Sequence, residues 1–130
     1  MQMLLANIVS SDFRRSLDKL AAQELPVRTM FRLKGVIKIL REEMKRYDEF
    51  QAERALKYAT KDPETEKPVI DKKQNGVVYY RMEHEAMLIF TADMGEVAKN
   101  EVEVPEFTMA ELGKVTLTTN DLLALEFITE

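Results

Sequence analysis

From Met30 onward the chain places apolar residues at alternating spacings of three and four: Met30, Leu33, Ile37, Leu40, Met44 and Tyr47. This is the stripe of a helix that buries one face along its length, in a bundle or a coiled coil. A strand cannot use it, because strand side chains alternate faces with a period of two. Pro26 can open the helix, since its missing N–H falls where no intrahelical acceptor exists. Asp62-Pro63 closes it, because proline disfavours helical geometry in the residue before it. Gln51 interrupts the stripe and Ala55 and Tyr58 resume it. The pattern predicts a helix from Pro26 to about Thr60, on the order of 50 Å long. That exceeds the width of a domain of 130 residues. Either the helix bends near Gly35 or another chain covers its far end. The second alternative places an oligomer interface around Met44, Tyr47 and Tyr58.

The flanking sequence predicts the rest of an α+β fold in one domain, residues 1–130. Met3 to Val9 reads as a strand. Ser10-Ser11-Asp12 supplies N-cap chemistry for a helix carrying Phe13, Leu17 and Leu20. Residues 61–76 form a polar connector and a hairpin turn. There Asn75-Gly76, flanked by Val69-Ile70 and Val77 to Tyr80, suits the positive φ angles of a two-residue β-turn. Glu83 to Ala98 predicts a third helix with Met87, Phe90, Met94 and Val97 on one face. Val102 and Val104 alternate with Glu101 and Glu103 as a half-buried strand. Thr108 to Glu111 has capping-box spacing ahead of Gly113. Val115 to Leu117 reads as a last strand, and Thr118 to Asp121 caps a terminal helix running to Ile128. The expected architecture is a long central helix with two or three further helices on a small, mainly antiparallel sheet.

The residue types needed for most catalysis are missing. There is no cysteine, so thiol nucleophiles, thiolate metal sites and disulfides are excluded. His84 is the single histidine, which rules out a multi-histidine zinc site within one chain. Ser10, Ser11 and Ser16 lie at a helix start and inside it, without a nucleophile-elbow pattern. Gly35, Gly76, Gly95 and Gly113 are isolated and form no phosphate loop. The carboxylates of Glu42-Glu43, Asp48-Glu49 and Glu101/Glu103/Glu106 read as solvated faces. The sequence therefore predicts a protein that is not an enzyme, with no catalytic residues, no metal and no cofactor. No apolar run approaches the ~20 residues of a membrane helix.

Charge is unevenly distributed. Residues 1–60 carry 12 Lys and Arg against 8 Asp and Glu, and residues 61–130 carry 7 against 15. The asymmetry reads as two solvated faces, as a basic surface for an anionic ligand, or as head-to-tail attraction between copies. Arg14, Arg15, Arg28, Arg32, Lys34 and Lys38 surround the first helix and the start of the second. Guanidinium forks suit phosphate and carboxylate, so Arg14, Arg15, Arg28, Arg32 and Lys34 form a candidate anion site. Tyr79 and Tyr80 are candidate stacking partners for a base. The alternative is that these cations pair with Asp12, Asp18 or Glu24. The acidic total and the lack of a basic stripe fit long DNA poorly.

Two stretches, LPVRTMFRLKGVIKILREEM (Leu25 to Met44) and TLTTNDLLALEFITE (Thr116 to Glu130), resemble an uncharacterised family of small proteins of tailed phages and prophages. The resemblance rests on the helix start at Leu25-Pro26-Val27, the long charged helix, the Asx-Gly turn, the acidic strand and the closing helix, in that order. It implies a phage product made in the bacterial host cytoplasm, or carried in the virion, and it transfers no functional residue. The expectation is a non-enzymatic homo-oligomer that binds phage or host proteins as a virion, tail-assembly or accessory component. The alternative is a counter-defence protein that sequesters a small anionic nucleotide.

Overall fold

The computed structural model describes residues 1–130. In chain order the elements are β1 (Gln2–Leu4), α1 (Leu5–Ile8), α2 (Ser11–Ala21), α3 (Val27–Tyr58), β2 (Ile70–Gln74), β3 (Val77–Tyr80), α4 (His84–Ala98), β4 (Glu101–Glu103), β5 (Phe107–Thr108), α5 (Met109–Leu112), α6 (Thr119–Ala124) and β6 (Ile128–Thr129). The class is α+β, dominated by the long helix α3. The strands form three two-stranded ladders: β1 with β4 and β2 with β3 antiparallel, and β5 with β6 parallel. The chain divides into two compact units, Met1–Lys45 with Ala98–Glu130, and Arg46–Val97.

The first unit holds most of the core. Leu33, Ile37, Leu40 and Met44 of α3 are buried, joined by Val36. Phe13, Leu17 and Leu20 give α2 its buried stripe, and the Ser10 hydroxyl caps that helix by accepting from the Phe13 N–H at 3.2 Å. Phe13, Phe127 and Phe107 meet edge to face, with ring centroids 6.3 Å and 6.0 Å apart. Such geometry sets the positive ring edge against the negative face of its neighbour.

Three local expectations are corrected here. Met3 to Val9 is a strand only as far as Leu4 and then turns into α1. The buried residues Met3, Leu5 and Ile8 explain this, because a spacing of two serves a strand and a spacing of three serves a helix. Val115 to Leu117 forms no strand. The Gln23 side-chain amide engages Thr116 instead, donating to its carbonyl at 2.6 Å and accepting from its N–H at 2.7 Å. The terminal helix stops at Ala124, where Leu125 takes φ −86 and ψ 69. Leu125 and Phe127 are both fully buried. A continued helix would turn them about 200° apart, so leaving the helix buries both and delivers Ile128 to β5.

In the second unit, the Asp62 carboxylate accepts from the N–H groups of Glu64 and Thr65 at 2.8 and 3.2 Å, organising the turn to Lys67. β2 and β3 pair with Gln74 opposite Val77. Between them Asn75 and Gly76 take φ of 52 and 78, angles that Asn and Gly adopt more readily than other residues. Only Ala59 and Met94 of this unit are buried hydrophobic residues.

Candidate functional site

The cations singled out in the sequence lie on two helices of the first unit, and most are engaged locally. The Arg14 Nε donates to the Val9 carbonyl at 2.9 Å, and Arg15 pairs with Asp12 at 2.7 Å. Arg32 is held on three sides. Its guanidinium lies 4.1 Å from the Phe107 ring centroid, donates to the Glu106 carbonyl at 2.6 Å and pairs with Glu111 at 3.2 Å. Arg28 and Lys34 are exposed. Tyr79 and Tyr80 belong to the second unit. As consecutive residues of β3 they point to opposite faces, so they do not make one stacking platform. Tyr79 is exposed with the Lys72 ammonium 5.0 Å from its ring, and Tyr80 is half-buried.

The residues expected at an oligomer interface also have internal roles. Met44 is a core residue and Tyr47 is half-buried. The Tyr58 hydroxyl donates to Asp93 at 3.1 Å and accepts from Arg54 at 2.9 Å. Arg54 and Asp93 pair at 2.5 Å, tying α3 to α4 within the second unit. Their mutual hydrogen bond raises the Arg54 pKa further and holds the Asp93 carboxyl below its ordinary range. Asp93 carried no sequence signal, since an acid on a helix does not announce a partner 39 positions away.

Arg32 acts as a clamp between α3 and the β5–α5 segment. Glu111 completes a capping box with Thr108, whose backbone N–H holds the carboxyl below its ordinary range. Arg32→Ala is expected to cost about 1–2 kcal/mol through the lost cation–π contact and hydrogen bonds. Arg32→Lys recovers little of it, because a point charge cannot make the planar fork. Urea midpoints of the three proteins check this.

Large apolar side chains remain exposed at several places, Leu123 of α6 at 71% among them, and the two most exposed lie on α3. On α3, Val27 is 79% exposed and Phe31 83% exposed. Beside Phe31 runs a shallow groove lined by Lys34, Gly35, Lys38 and Glu42. On α4, Met87, Leu88 and Ile89 are exposed, Leu88 at 57%. The sequence stripe on this helix selected Met87, Phe90, Met94 and Val97. Of these Met94 is buried and Phe90 and Val97 half-buried, while Met87 is open. Leu88 and Ile89 lay outside that stripe, which was the available signal that α4 carries apolar side chains on more than its inner face. No group of three or more His, Asp or Glu side chains is placed to hold a metal ion. No helix is long and apolar enough to cross a membrane. Comparison with protein families, with curated proteins and with solved structures finds no match.

Proposed function

We propose that this is a phage-encoded, non-enzymatic protein that works by binding other protein chains, copies of itself included. The exposure of Val27 and Phe31 on α3 and of Met87, Leu88 and Ile89 on α4 carries the reading. Scattered apolar residues on a surface need no explanation, but clustered large ones mark interaction sites. Water contact with two such clusters is unfavourable, and a protein partner relieves it at roughly 25 cal/mol per Å² of apolar area removed from water. The phage assignment draws on the resemblance of residues 25–44 and 116–130.

Native mass spectrometry of protein purified gently from the expressing cells tests the reading. The expected result is a mass of two or more chains of 15.1 kDa each, or a single chain plus the mass of a partner protein, and a bare single chain counts against the reading. A single chain carrying an excess of a few hundred daltons that is lost on denaturation would overturn it in favour of small-ligand sequestration.

A further inference from the structure

We propose that the outward face of α3 in one copy receives the outward face of α4 from a second copy, the two helices antiparallel and anchored by Phe31 and Leu88. The proposal rests on the protein-binding reading and names its surfaces. On α3, Val27, Phe31, Lys34 and Lys38 fall within about 60° of one another around the helix axis. They form a second stripe, centred about 120° around the helix from the buried one of Leu33, Ile37, Leu40 and Met44. All four are exposed, and nothing stands within 4 Å of where a Gly35 Cβ would be. On α4, Glu85, Leu88, Ala92 and Gly95 fall within about 80°, and all four are exposed. Each face thus carries a large apolar side chain one turn before a small residue: Phe31 before Gly35, and Leu88 before Ala92.

Charge selects this pairing over α3 on α3 or α4 on α4. The segment Glu83 to Ala98 contains Glu83, Glu85, Asp93 and Glu96 and no Lys or Arg. The exposed stripe of α3 carries Lys34 and Lys38, with Arg28 beside it and one acid, Glu42, in the groove. Like-charged faces repel and opposite ones attract, which fixes partner and register more than raw affinity. The antiparallel register that sets Phe31 against Ala92 also sets Leu88 against Gly35. The same register brings Lys38 opposite Glu85. Large side chains then sit over small ones at both positions, as close helix packing at 8–10 Å requires. The contact joins two different surfaces, so each copy brings one of each to the assembly.

Sedimentation velocity over a concentration series reads the outcome for the full chain and for Phe31→Glu and Leu88→Lys. Both substitutions are at exposed positions, and circular dichroism melts close to wild type verify folding. The wild type is expected to gain mass with concentration, and each variant to stay at a single chain. Mixing the two variants is expected to give a one-to-one heterodimer that grows no further, because each supplies the face the other has lost. Lys38→Glu is expected to weaken association about three- to tenfold, and Glu85→Lys in the same chain to restore it. If the wild type associates and both variants associate equally, or if the mixed variants stay apart, the α3–α4 pairing is wrong while protein binding stands. If the wild type is a single chain at every concentration, the pairing is wrong, and the native masses described above decide the broader reading alone.

Discussion

Phe127→Ala is expected to remove about 3–5 kcal/mol of stability, a large share of the 5–15 kcal/mol typical of a folded domain. Phe127 is fully buried and stands between Phe13 of α2 and Phe107 of β5, touching both rings edge to face. Truncation therefore loses the transfer free energy of the ring, leaves a cavity whose walls are other large side chains, and deletes two aromatic contacts together. It also loosens the chain just where β6 begins, since the Phe107 N–H donates to the Phe127 carbonyl at 2.9 Å. Phe31→Ala provides the contrast within the same unit. That ring is 83% exposed, and its loss is expected to change stability by no more than about 0.5 kcal/mol. Urea denaturation of both variants at a concentration below any association gives the comparison. Similar midpoints for the two would refute the burial pattern on which the fold and both proposed surfaces depend.

These two phenylalanines also show what the sequence could and could not reveal. The buried stripe of α3 was legible because it repeats over many turns, and a long repeat leaves few alternatives for the face that turns inward. Phe31 and Val27 fall off that stripe, and in a sequence an apolar residue off the stripe has no assigned surroundings. Only the fold shows that they stay in water. The end of the chain departs from its sequence pattern for a related reason. Leu122, Leu125 and Ile128 sit at helical spacing, and nothing local shows that burying Phe127 with Leu125 requires the chain to leave the helix. Long-range polar pairs were beyond reach altogether. Gln23 holding Thr116 across 93 positions depends on tertiary geometry that no spacing rule encodes. The anion cluster was legible as composition, yet three of its five members, Arg14, Arg15 and Arg32, are committed to Val9, Asp12 and Glu111.

Asp121→Asn is expected to lower the melting temperature at pH 7 by roughly 5–10 °C and to flatten the acid limb of the stability curve. Asp121 is buried and ties α6 to α2. Its carboxylate accepts from the Lys19 ammonium at 2.7 Å, the Thr118 N–H at 2.9 Å and the Ser16 hydroxyl at 2.9 Å. The bond from Lys19, followed by those from Thr118 and Ser16, holds its pKa far below the ordinary carboxylate range. A folded-state pKa below the unfolded value of about 3.9 means that the carboxylate stabilises the fold fully above that value. The contribution is lost as pH falls below it, because protonation removes the acceptor and leaves Lys19 facing a neutral group. Asparagine reproduces the shape but presents an N–H₂ where an oxygen is needed, and with three donors converging on the site at least one is left opposed. Asp93 and Glu111, also held low by their partners, add to the acid sensitivity with the same sign. The measurement is the wild-type minus Asp121→Asn difference in urea midpoint from pH 7 to pH 2. It should be largest at neutral pH and shrink steadily below pH 4. A difference that stays constant across that range would show that the residue acts through shape alone and that its charge contributes nothing to joining α2 and α6.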